Sequence, residues 1–408
     1  MKVAPRRIIV GLAGTQLSAD ERCFLKAETP AGVILFRRNL VSAEQTRALI
    51  RDVRACLAEV TPLILVDEEG GRVQRLRPPL GRRLPAAATY LKWGQSLSGA
   101  ASGAGGAVAD GAVAAGPAVA AGAAAAAGAA EAVARLTAYD LHALGFNTNC
   151  APVVDLRFDG AHEIVGDRAY GEDVSVVAML ARAVCDGLTA GGVLPVVKHI
   201  PGHGRAACDS HLALPVIDVP HVDLTTYDFA AFKMLADQPT AMTAHAVYSA
   251  YDQDRPATTS PTIMHDVVRD AIGFDGLVMT DDVCMRALDG SIASRCRDAI
   301  AAGCDLVLHC SGDLAGMQEA AAAVPRAEGD SARRLATALQ ITDADPRAFD
   351  KAAVEETLET LLAFEDALRP GGAPGAAERA GQGSDTSAGA GAYPATDLVR
   401  NDPTEPFA

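Results

Sequence analysis

The chain has 408 residues, 49% of them hydrophobic and 21% charged, a balance that fits a globular protein with a substantial core. Its formal net charge of -15 argues against nucleic acid or an anionic membrane surface as a main partner, though not against a small substrate met by local Arg and Lys. Nine cysteines, an odd number with no Cys-x-x-Cys pair, suit reduced thiols in the cytoplasm better than a disulfide framework or a zinc knuckle.

The first apolar run, Ile8 to Gly14, is too short for the core of a signal peptide and reads as a first strand. No apolar run free of Gly and polar residues is long enough to span a bilayer. Strand-like runs then recur at helix-length intervals, over 7–14, 32–37, 63–67, 146–156, 194–199, 240–247, 276–281 and 305–310. Helical patterns such as 43–57 and 174–188 lie between them. This alternation predicts a parallel sheet with right-handed crossovers. Eight strands in a chain of this size predict one closed (β/α)8 TIM-type barrel domain over 1–368. No Gly-x-Gly-x-x-Gly turn follows the first strand, so a dinucleotide-binding fold is not indicated.

Two segments fall outside this pattern. Residues 98–123 are almost entirely Ala and Gly and read as a flexible low-complexity insertion before a helix that ends near Leu144. A spacer without function is the simplest reading of it. After a last helix over 347–368, residues 369–408 read as a disordered tail.

From the third strand onward, most strands end in polar residues. They are Asp67 to Arg75, Gly166 to Tyr170, the stretch Lys198-His199-Ile200-Pro201-Gly202-His203-Gly204-Arg205 running to His211, Thr243-Ala244-His245, and Thr280-Asp281-Asp282. Charges there are costly inside a barrel and belong at its carboxyl-end mouth. Singly, each has a plain structural reading. Arg75, Arg168 and Lys198 can pair with Asp67, Asp167 or Glu69, and Asp281 can cap a helix. Strict alternation lets only one of Asp281 and Asp282 face the barrel axis, without saying which. His199 and His203 have the four-residue spacing of a helical zinc site, but Pro201 and Gly202 preclude that helix, so no metal is expected. Asp209-Ser210-His211 is more specific. A carboxylate two residues from an imidazole fixes its tautomer and frees the other nitrogen for proton transfer. Together with an Asp nucleophile, that pair meets the needs of glycoside hydrolysis, whereas no Gly-x-Ser-x-Gly elbow supports a serine hydrolase.

The stretches Val66 to Arg75, Gly166-Asp167-Arg168, Lys198 to Pro215 and Thr280-Asp281-Asp282, in this order and spacing, closely resemble the cytoplasmic β-N-acetylglucosaminidases of glycoside hydrolase family 3. The resemblance spans about residues 7 to 368. It implies that Asp281 is the nucleophile, that His211 is general acid and then base, and that Asp209 is its dyad partner. It also implies that Asp67, Arg75, Arg168, Lys198 and His199 bind the sugar, with no cofactor. The substrate implied is a small glycan of peptidoglycan recycling, N-acetylglucosamine β-1,4-linked to an anhydro-N-acetylmuramoyl peptide. Rival readings are a phosphorylase on the same scaffold, since an imidazole acid repels phosphate less than a carboxylate does, and a non-catalytic sugar-binding protein. A β-glucosidase of the same family fits less well, because the chain has no room for a second domain.

Overall fold

The computed structural model describes residues 3–97, 117–210 and 212–369. Eight strand directions build one parallel sheet: β1 (Arg6–Gly11), β2 (Pro30–Leu35), β3 (Leu63–Val66), β4 (Thr148–Asn149), β5 (Leu194–Pro195 continued by Val197–Ile200), β6 (Thr240–Thr243), β7 (Leu277–Asp282) and β8 (Leu306–His309). The first part of β5 pairs with β4 and the second with β6, while β1 pairs with both β2 and β8. The sheet therefore closes on itself as the expected (β/α)8 barrel.

Alternation along each strand divides the apolar residues between two cores. Ile9, Ile34, Leu63, Leu65, Leu194, Val196, Met242, Leu277, Met279, Leu306 and Leu308 fill the barrel. Their neighbours Ile8, Val10, Val33, Leu35, Ile64, Val66 and Val278 pack under the helices. The helix Gly329–Thr342 closes the amino end of the barrel with Leu335 and Ala338.

The helices start where local capping allows. Ser18 and Glu21 form a capping box on Ala19–Glu28, Ser42 caps Ala43–Cys56, and Asp173 caps Val174–Ala190. The run expected as strand over 146–156 is regular only at Thr148–Asn149. Beyond it the chain leaves the ladder for a loop, although Val153 still bridges to Lys198.

The spacer reading of 98–123 needs correction at its far end. A helix begins at Pro117 and runs to Leu144, so 117–123 are helical. Small residues there serve close packing: a Cβ on Gly94 would meet the Gly122 carbonyl oxygen at 2.2 Å, and one on Gly187 the Glu131 carbonyl oxygen at 2.3 Å. Residues 98–116 and, past Arg369, the expected tail lie outside the described residues.

Candidate active site

Asp67, Lys198 and Asp281 each extend the inward row of their strand, following Leu65, Val196 and Met279. Alternation thus carries them to the mouth of the barrel, where they line a cavity of about 270 Å³ with Glu69, Arg168, His199, His203 and Ser210. A short antiparallel hairpin, Glu68–Gly70 with Val73–Gln74, supplies one wall. Its turn needs glycine, since Gly70 and Gly71 have φ of 100° and 57°.

Three cations and two carboxylates interlock on that wall. Lys198 Nζ donates to Asp67 Oδ1 at 3.0 Å and reaches Glu69 Oε1 at 2.6 Å. Arg168 grips Glu69 with two bonds of 2.8 Å. Arg75 Nη2 donates to Asp67 Oδ2 at 3.2 Å. Burial opposes ionisation of both carboxylates. Nevertheless Lys198 and Arg75 hold Asp67, and Arg168 and Lys198 hold Glu69, below their ordinary pKa values. The wall carries one cation more than it has anions, before Asp281 is counted.

Asp281 faces this wall. Its Oδ1 accepts the N–H of Asp282 at 2.8 Å. The expectation that only one of the two aspartates could face the axis is overturned, since both line the cavity. Between Met279 and Asp282, β7 advances three residues while β8 advances two, from Leu306 to Leu308. This bulge breaks the alternation. The two carboxylates still differ in use, because Asp282 Oδ1 accepts the N–H groups of Cys284 and Cys310, both at 3.0 Å. Asp282 thereby ties the strand ends together. His245 stands behind it, with Nε2 3.0 Å from the Asp282 carbonyl and Nδ1 2.7 Å from Thr258 Oγ1.

Asp155, which sequence reasoning did not single out, organises the loop after β5. Its Oδ2 lies 2.7 Å from His199 Nδ1, while Oδ1 accepts the backbone N–H groups of His199 at 3.2 Å and His203 at 2.6 Å. Burial raises the pKa of Asp155, but His199 and His203 together more than offset this and leave it below the ordinary value. The signal was an Asp closing an apolar run, as at the other strand ends. The rings of His199 and His203 meet edge to face at 5.7 Å.

Of the sequence-predicted residues, Asp67, Arg168, Lys198, His199 and Asp281 come together on the cavity wall. Arg75 is fully buried behind Asp67, with its guanidinium 5.3 Å from the Phe36 ring. Arg168 pairs with Glu69, and Asp167 is met by Arg72 at 3.0 Å. Asp209 begins a turn whose carbonyl accepts from Leu212 and Ala213, at 2.9 and 3.0 Å. His211 lies outside the described residues. All nine cysteines are free.

A closed parallel barrel with ionisable groups gathered at the carboxyl ends of its strands defines a barrel enzyme. The glycosyl hydrolase family 3 N-terminal domain matches residues 8–340. A beta-hexosaminidase of Bordetella avium is 36% identical over 312 residues, 75% of this chain and 81% of that protein. One of Methylococcus capsulatus is 37% identical over 304 residues, 74% and 81% of the two. The structure of NagZ from Neisseria gonorrhoeae in complex with N-trifluoroacetyl-D-glucosamine superposes with a TM-score of 0.70 at 30% identity, covering 89% of this chain and 97% of that one. The chain belongs to glycosyl hydrolase family 3, and it is a glycoside hydrolase.

Proposed function

We propose that the protein is a retaining exo-β-N-acetylglucosaminidase of the cytoplasm, carried by one domain over 1–368. Its substrate is N-acetylglucosamine linked to an anhydro-N-acetylmuramoyl peptide released during peptidoglycan recycling. Support comes from the beta-hexosaminidase relatives and from the sugar analogue in the Neisseria structure. The observation that carries the reading is the Asp281 carboxylate, which accepts from the Asp282 N–H and lines the same cavity as Lys198 and Arg168.

In this mechanism Asp67, Lys198, His199 and Arg168 hold the sugar, and Arg75 holds Asp67. An Asp281 oxygen forms a bond to the anomeric carbon as the glycosidic bond breaks, and His211 protonates the departing oxygen. His211 then takes a proton from water. That water oxygen bonds to the anomeric carbon, the Asp281 ester bond breaks, and the sugar leaves with its configuration retained. Asp209 fixes the tautomer of His211 and stabilises the imidazolium.

Leaving groups test this assignment. A sugar alkoxide needs a proton as it departs, whereas a dinitrophenolate does not. His211→Ala should therefore lose far more activity on a disaccharide than on a dinitrophenyl N-acetylglucosaminide, and Asp209→Asn should show the same selectivity more weakly. Equal losses on both substrates would remove His211 from the role. Assays with and without phosphate, read by mass for sugar 1-phosphate, separate hydrolysis from phosphorolysis.

A further inference from the structure

Among the described residues, the mouth cavity contains one imidazole with neither ring nitrogen hydrogen-bonded. His199 has Nδ1 committed to Asp155, and His245 has both ring nitrogens committed to Thr258 and Asp282. His203 is 4% exposed and lines the same cavity, yet neither of its ring nitrogens has a partner among the described residues. A buried polar group left unmatched is costly, so such a group in a folded protein points to something that satisfies it on binding.

The backbone around His203 is built to keep the ring there. Its own N–H is held by Asp155 Oδ1 at 2.6 Å. Gly202 sits at φ +135°, and a Cβ on it would stand 2.9 Å from Asp228 Cβ. A Cβ on Gly204 would stand 2.0 Å from the Leu156 carbonyl oxygen. The two flanking positions therefore admit only glycine, and the histidine between them is clamped toward the cavity. Burial, with His199 alongside, pushes the His203 pKa down to about 4, so near neutral pH the ring offers one N–H donor and one bare nitrogen acceptor. A sugar hydroxyl or acetamido group, which also donates and accepts, is the complement of such a ring.

We propose that His203 contacts the substrate directly, hydrogen-bonding one polar ring substituent of the sugar that occupies the cavity. This rests on the reading that the sugar is N-acetylglucosamine. It adds to that reading a residue which reads the sugar's substituents and takes no part in proton transfer.

Two readouts test it. In the full-length protein, the ring ¹⁵N resonances of His203, assigned by their loss in His203→Gln, should shift and saturate as N-acetylglucosamine is added. Sugar binding without such a shift overturns the proposal. In kinetics, His203→Phe should lower kcat/KM on an aryl N-acetylglucosaminide about 10- to 100-fold. On the one analogue that lacks the contacted substituent, the loss should shrink to about threefold or less. His203→Gln should retain more activity than His203→Phe on the parent substrate. Equal losses across the whole deoxy and deacetamido series would mark a structural role and overturn the proposal, and if His203→Phe does not fold, the same series is read with His203→Gln. Resonances that shift in a protein inert toward N-acetylglucosaminides would overturn the activity and keep the His203 contact. A protein that neither binds N-acetylglucosamine nor cleaves its glycosides overturns both.

Discussion

Both ends of the barrel carry a buried charge cluster beside a hollow, about 500 Å³ at the amino end and about 270 Å³ at the mouth. At the amino end, three arginines converge on Asp305. Arg269 Nη2 donates to Oδ2 at 2.9 Å and Arg334 Nη1 to Oδ1 at 3.1 Å, while Arg7 Nε donates to the Asp305 carbonyl at 2.7 Å. Further donors around it are also used. Arg269 Nη1 serves the carbonyls of Phe274 and Gly276, Val278 N–H serves Asp305 Oδ2, and Arg334 Nη2 reaches Asp275. That network stitches β1, β7, β8 and the helix Gly329–Thr342 together and offers a ligand little. At the mouth, the cluster of Asp67, Glu69, Lys198 and Arg168 faces Asp281 and an imidazole with open valence. A charge cluster and a hollow are present at both ends and do not tell them apart. What differs, among the described residues, is a buried side chain at the mouth, His203, whose hydrogen-bonding capacity the protein leaves unused.

The sharpest way to break this comparison is to exchange what is lost at each end. Asp281→Asn keeps the shape of the side chain but cannot form the glycosyl ester, so turnover should fall by on the order of 10⁴-fold while thermal stability stays near wild type. Trapping with a 2-deoxy-2-fluoro substrate should label Asp281, and a label on Asp282 or Glu69 would overturn the assignment. Asp305→Ala should do the reverse. It leaves Arg269 and Arg334 without their buried partner, a loss on the order of 3–5 kcal/mol in urea unfolding. Activity per folded molecule should be unchanged. A large drop in kcat for folded Asp305→Ala would mean that the two ends are coupled.

Much of this architecture was legible because period-two burial survives in short strands. Ile9, Ile34 and Leu65 face inward and their neighbours outward, as alternation requires, so eight runs sufficed to read a barrel. The mouth was legible for the same reason, since Asp67 and Lys198 continue inward rows. Alternation failed at Asp281 and Asp282 because a bulge, set by pairing with β8, is a tertiary feature with no local signature. Composition failed at 117–123 because Ala and Gly read alike in a spacer and in a tight helix contact; Gly122 makes that contact and Ala123 beside it is buried. Asp155 stayed hidden because its partners are 44 and 48 residues away. His203 could be judged only as a metal ligand in the sequence, where nothing reveals that its ring is buried and unpaired.

The smallest expected effect concerns how the mouth is held as pH changes. Glu68 lies behind the hairpin wall and accepts from Gln74 Nε2 at 2.7 Å and from the N–H groups of Arg75 and Leu76, both at 3.0 Å. Burial outweighs these bonds and pushes its pKa up from 4.5 to about 7. An acid raised in the fold binds its proton more tightly folded than unfolded. Its contribution to stability is therefore full below about pH 4.5 and is lost as pH rises through 7. His203 has the opposite sign. Its pKa falls from 6.5 to about 4, so its contribution is full above about pH 6.5 and is lost as pH falls through 4. Between pH 5 and 6.5 the two slopes oppose each other and largely cancel. Glu68→Gln removes one of them, so stability of the variant should climb with pH across this range more steeply than that of the wild type. Summed from pH 4.5 to 7, the difference should approach about 3 kcal/mol. Urea unfolding of both proteins at half-unit pH steps measures it. A variant whose curve runs parallel to the wild type would show that Glu68 titrates in the fold as it does in the unfolded chain, and that the wall is held by its hydrogen bonds at every pH.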